Sequence, residues 1–119
     1  MRYVVALLAI LLASCASLSR PSSISEISGL WQYPGMQVWV LIESDGSAFQ
    51  CRVDQDDTLL ISKGRYDGAG SVVWDQRWGA ERVYVARDGI VFHGIYGKFK
   101  HVPATHPLSD DCARALAAV

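Results

Sequence analysis

The 119-residue sequence has no excess of charge: 11 Lys and Arg stand against 12 Asp and Glu, for a formal net charge of −1. That excludes the basic stripe by which proteins hold nucleic acid. No apolar run is long enough to cross a bilayer. Val4 to Ala13 has ten residues and, as a helix, would be about 15 Å long, half of the ~30 Å hydrocarbon core. Long helical periodicity is missing after Gly29, so parallel β-α-β crossovers are not expected. Catalytic signatures are missing too. No nucleophile sits in a Gly-x-Ser-x-Gly turn and no phosphate-cradling Gly loop precedes a helix. Asp75 and Glu81 flank one hairpin, where paired carboxylates on a rim read as solvated, and no enzyme activity is expected. His93, His101 and His106 find no acidic or Cys partner in a recognisable set, whereas structural zinc needs four ligands. Asp54, Asp56 and Asp57 miss a calcium loop because its sixth position, normally Gly, is Leu59. Neither a metal nor a cofactor is expected.

What is present begins at the N-terminus. Arg2, the apolar run to Ala13 and the small residues after it describe a secretory signal peptide. A buried core helix would need an amphipathic pattern, and Val4 to Ala13 has none. Leu12-Ala13-Ser14-Cys15 resembles the lipobox of bacterial lipoproteins, with an aliphatic residue, two small residues and a cysteine. The resemblance covers the first fifteen residues. It implies that residues 1–14 are removed, that the Cys15 thiol receives a diacylglyceryl group and that the new amino terminus is acylated, with palmitate among the fatty acids. Each buried acyl methylene contributes about 0.8 kcal/mol, and two chains anchor stably. Ala16, not aspartate, follows the cysteine, which in lipoproteins accompanies sorting to the outer membrane. The expectation is an outer-membrane lipid anchor with the domain facing the periplasm. Residues 15–28, rich in Ser and carrying Pro21, read as a flexible tether, and residues 29–119 as the one folded domain.

With Cys15 assigned to lipid, Cys51 and Cys112 form an even pair in an oxidising compartment. A disulfide is the favoured reading; two unrelated thiols are the alternative. The bridge would close a loop of 61 residues and stabilise by about 4 kcal/mol in the chain-entropy model.

From Gly29 onward, β-branched and aromatic runs alternate with turn residues. Asp45-Gly46, Asp56-Asp57, Asp67-Gly68, Trp78-Gly79 and Asp88-Gly89 recur every 10 or 11 residues, the spacing of strands joined by hairpins. The pattern predicts strands at Gly29–Tyr33, Gln37–Glu43, Ser47–Val53, Leu59–Tyr66, Ser71–Gln76, Glu81–Arg87 and Ile90–Lys100. Alternation puts Phe49, Cys51 and Val53 on the inner face with Ala48, Gln50 and Arg52 outside, and turns Val72, Trp74, Val83 and Val85 inward. Val38 to Ile42, apolar throughout, reads as a strand covered on both sides. Gly94 and Gly97 read as bends or a bulge in the last strand, and His101 and His106 as loop residues. The expected fold is all-β: an antiparallel meander of about seven strands, closed or nearly closed into a barrel because closure removes sticky edges, with a sandwich second. A short helix follows Pro107, with Ser109 as cap and Asp110 and Asp111 in its first turn.

Gly29-Leu30-Trp31 resembles the Gly-x-Trp signature of lipocalins, in which the tryptophan closes one barrel end and an arginine from the last strands stacks across it. Arg82 or Arg87 would take that part. The domain is shorter than a lipocalin and carries no second lipocalin motif. Four Trp, five Tyr and three Phe either fill the core or line a ligand pocket. The candidate ligand-binding residues are Trp31, Trp39, Trp74 and Tyr96. The functional expectation is a lipid-anchored barrel binding a small apolar ligand or an envelope protein. The alternative is a structural, accessory or inhibitor lipoprotein of the envelope without small-ligand binding.

Overall fold

The computed structural model describes residues 22–75, 79–94 and 97–118, so Cys15, Trp78, Ile95 and Tyr96 lie outside the described residues. The chain forms a helix α1 (Ile24–Ile27), then strands β1 (Gly29–Gln32), β2 (Val38–Ile42), β3 (Ser47–Val53) and β4 (Leu59–Tyr66). Strands β5 (Ser71–Trp74), β6 (Ala80–Ala86), β7 (Gly89–Gly94) and β8 (Gly97–Pro103) follow, and a helix α2 (Asp110–Ala117) ends the fold. Each strand pairs antiparallel with the next, and β8 returns to β1, closing the barrel.

The turns fall where Asp and Gly predicted them, for a reason visible in the hydrogen bonds. The Asp45 carboxylate accepts from the Ser47 N–H at 2.8 Å, and Asp67 accepts from Ala69 and Ser71 at 2.7 and 3.1 Å. Each side chain thus replaces a backbone acceptor at the reversal. These bonds hold both carboxyls below the usual range. The strand predicted as Ile90–Lys100 is instead two strands. Gly94 pairs with Gly97 across a hairpin, so these glycines mark a reversal and not a bulge, and the strand count is eight. His101 accordingly lies in β8 and is buried.

The largest correction concerns which face of β3 is inside. Ala48, Gln50 and Arg52 pair with the lumen-facing Ile42, Val40 and Val38, whereas Phe49 and Cys51 sit in a second apolar cluster with Trp39 and Cys112. Sequence alternation reports which residues share a face; it is silent on which face is the lumen. Here an outer cover makes the outside of the wall apolar. Helix α2 lies against β3 and β4, and Leu108, Leu116, Leu41, Val53, Leu59 and Ile61 complete the layer. Val38 to Ile42 is therefore covered on both faces, as its unbroken apolar run predicted.

Ser109 caps α2 by accepting from the Cys112 N–H at 3.2 Å, and Asp110 and Asp111 occupy the first turn, where negative charge suits the helix dipole. Cys112 bonds to Cys51 with Cα atoms 5.9 Å apart, and both cysteines are fully buried. A helix on the outer surface reaches Cys51 because Cys51 points outward.

The tether predicted through Ser28 ends sooner. Ser23 and Glu26 form a capping box, in which the Glu26 carboxylate accepts from the Ser23 N–H at 3.0 Å and from its hydroxyl at 2.8 Å. Helix α1 then drives Ile27, wholly buried, into the barrel end where Val40, Ile42, Ala48, Val72, Val83 and Ile90 meet. The Trp31 indole N–H donates to the Ile27 carbonyl at 2.8 Å, the Tyr66 hydroxyl donates to the Ser22 carbonyl, and Ser22 Oγ donates to the Val83 carbonyl at 2.9 Å. One end is plugged.

Replacing both cysteines (Cys51→Ser with Cys112→Ser) is expected to lower stability by about 4 kcal/mol, the chain-entropy value for this loop. Urea unfolding of oxidised wild type and variant checks it. An unchanged midpoint would refute the stapling role.

Candidate functional site

The lumen has two unlike halves. Strands β1, β3, β5 and β7 run from the plugged end toward the open end, and the strands between them run back. At the plugged end the lumen is filled by aliphatic side chains and Trp31. Toward the open end it retains a cavity of about 360 Å³, within the range of small-molecule sites. Arg52 near the end of β3 and Leu60 near the start of β4 stand toward its open side, and Tyr33, Met36 and Val38 also line it. Val40, Gln50, Ser62, Trp74, Glu81, Phe92 and His101 make up more of the wall. Phe99, opposite Phe92 in the β7–β8 register, completes the wall.

The cavity exists because the sequence stops supplying large aliphatics to the lumen halfway along the barrel. Inward positions of β3 pass from Ala48 to Gln50 to Arg52, and those of β4 from Tyr66 and Gly64 to Ser62 and Leu60. Gly64 opens room for the cavity's largest wall. A Cβ there would come within 2.7 Å of Trp74 Cε3, so glycine lets the Trp74 indole approach β4 closely. Trp74 is then fixed from its far edge, its N–H donating to Glu81 Oε1 at 2.9 Å.

An aromatic set follows. The Trp74 and Phe92 rings lie 6.5 Å apart, Phe92 meets His101 edge-on at 4.9 Å, and Tyr33 meets His101 and Phe99 at 5.3 and 5.6 Å. Edge-to-face contacts of this kind hold rings in place beyond simple area burial. His101, 4 % exposed, has no hydrogen-bond partner at Nδ1 among the described residues. Burial pushes its pKa down to about 4, so the ring is neutral at pH 7. Burial acts oppositely on Glu81. It raises the carboxyl's pKa, while the Trp74 hydrogen bond pulls it back. Arg52 is paired at the rim, its Nε donating to Asp54 at 2.6 Å.

Of the four predicted ligand-binding residues, Trp74 alone is seen in the cavity wall. Trp31 faces the lumen but packs beside the plug. Trp39 faces outward beneath α2, its indole N–H buried without an acceptor among the described residues. Tyr96 lies outside the described residues. Glu81, predicted to be solvated, is half-buried and bonded. Neither predicted arginine crosses Trp31. Arg82 sits on the outer face opposite Ser71 and His93, and Arg87 is exposed in the β6–β7 turn. His93 also faces out, beside Tyr84, and His106 is exposed with its backbone N–H near Gln32. No group of three or more His, Cys, Asp or Glu poised for a metal occurs among the described residues. Phe99 and His101 were legible as one face of a strand by alternating with Lys98, Lys100 and Val102, had the last hairpin been recognised. Searches with protein-family models, curated proteins and solved structures found no match to this chain.

The depressed His101 pKa sets a stability window. The unfolded state takes up a proton near pH 6.5 and the folded state only near pH 4, so His101's contribution is complete above 6.5 and is lost as pH falls through 4. The loss is on the order of 3 kcal/mol. Glu81 acts with the opposite sign, since acid neutralises its half-buried charge. The turn aspartates, with lowered pKa values, act at more acid pH. The expected outcome is that His101→Phe flattens the decline between pH 6.5 and 4 relative to wild type in urea titrations at each pH. Parallel curves would contradict it.

Proposed function

We propose that this protein is a lipid-tethered binding barrel of the bacterial envelope that takes a small amphipathic ligand through its open end. The single observation that carries the reading is the cavity of about 360 Å³, apolar along Val38, Val40, Leu60, Phe92 and Phe99 and furnished with a few polar groups in its wall. Convergent polar groups in a concave apolar site orient a ligand, whereas a barrel that needed only stability would fill its lumen.

The tether fits this use. Ser22 is held at the plugged end by Tyr66 and Val83, so the chain leading back to Cys15 leaves from the end opposite the mouth. A protein anchored through Cys15 thus keeps its opening clear of its own attachment. Kinship to lipocalin-like barrels draws support from Gly29-Leu30-Trp31 standing at the closed end of an eight-stranded meander. Gly29 has φ +132°, a conformation that L side chains rarely adopt, which accounts for the glycine of that triplet. The crossing arginine of that family has no counterpart in Arg82 or Arg87.

Two outcomes are expected. Native mass spectrometry of the protein purified from its own cells is expected to show a non-covalent ligand that Leu60→Trp, which narrows the mouth, removes. Tyr84→Ser on the outer face is expected to retain it. Retention in both variants would place the ligand elsewhere, and a bare wild-type protein that also fails to take up small aromatics would end the reading. Separately, Cys15→Ser is expected to abolish incorporation of labelled palmitate and to leave residues 1–14 attached. A variant of unchanged size that still carries label would overturn the anchor.

A further inference from the structure

Among the described residues, the charged and titratable groups around the cavity do not balance. Arg52 is the one cationic side chain in its wall among the described residues, and Asp54 neutralises it at 2.6 Å. His101 carries no charge at neutral pH. Lys63 and Lys98, the nearest lysines along β4 and β8, stand on the outer face opposite Phe49 and His93. What remains is Glu81, half-buried in the cavity wall, with Oε1 engaged by the Trp74 N–H and no cation paired to it among the described residues.

A partly desolvated carboxylate without a counter-ion is costly, and a ligand that supplied the cation would recover that cost. The surrounding surface suits a particular kind of cation. The Trp74 indole N–H holds the carboxylate, Phe92 stands 6.5 Å from the Trp74 ring and Phe99 lines the same cavity, and aromatic faces attract desolvated organic cations. A hydrated metal ion would gain little from such walls. Resting on the small-ligand reading above, we propose that the cavity selects an organic ammonium ion, a tertiary or quaternary amine on an apolar body. Its charge sits beside the hydrogen-bonded pair of the Glu81 carboxylate and the Trp74 indole, and its body reaches inward toward Val40 and His101. The neutral imidazole does not repel it.

The test compares three soluble probes of similar size by isothermal titration calorimetry: benzyltrimethylammonium, benzyl alcohol and benzenesulfonate. The full chain is used in lipid nanodiscs, with empty discs as the blank. The cation is expected to bind about tenfold more tightly than the alcohol, and the sulfonate more weakly than either. Glu81→Gln, which keeps the Trp74 hydrogen bond, is expected to bring the cation to the level of the alcohol and to leave the alcohol unchanged. Benzyl alcohol binding as tightly as the cation, or a cation preference that survives Glu81→Gln, overturns the ammonium assignment while leaving the binding barrel intact. Failure of all three probes overturns both. The comparison in the unsubstituted protein decides the matter even if the variant does not fold.

Discussion

Trp39, Phe49 and Cys51 point away from the lumen, and the bond from Cys51 to Cys112 holds a helix over them. Much of the molecule follows from this outer cover. A small barrel that had to hide every large apolar side chain inside would have its lumen packed from end to end. Here β2, β3 and β4 bury half of their apolar residues beneath α2, so the same strands are free to turn Gln50, Arg52 and Ser62 inward. Small domains have little core to spare, and a covalent staple offsets what the open lumen gives up.

The two ends of the barrel divide the labour. The plugged end supplies cohesion: Ile27, Ile42, Val72, Val83 and Ile90 are almost completely removed from water, and Trp31 ties the plug to β1. The open end keeps a cavity instead. Its cavity holds a half-buried carboxylate, whose desolvation is unfavourable, and a buried histidine that stays neutral at pH 7. That both lie in one cavity wall, joined by a continuous set of aromatic rings, sets the open end apart from a core that is merely underfilled.

Local chemistry was legible wherever it acts over a few residues. The Asp-Gly turns, the Ser109 cap with Asp110 and Asp111 behind it, and the doubly covered β2 all follow from neighbours in the chain. Ser23-Ile24-Ser25-Glu26 was a readable helix start hidden in a serine-rich stretch that looked like tether throughout. The last hairpin was missed because Gly94 and Gly97 fit a bulge as well as a reversal until β8 is seen to pair with both β7 and β1. Closing a barrel is a property of all eight strands together, and no single strand announces it.

Taken alone, the amino-acid sequence determined the periodicities: strands of alternating character, turns at regular intervals, an even cysteine pair and a capped terminal helix. Tertiary structure decided sides. Period-two patterning assigns Phe49, Cys51 and Val53 to one face and Gln50 and Arg52 to the other with equal force whichever way the wall is turned. Only the placement of α2 on the outside broke that symmetry, sending the aromatic and sulfur-bearing face beneath the helix and the polar one into the lumen, where Glu81 and His101 meet it from the opposite wall.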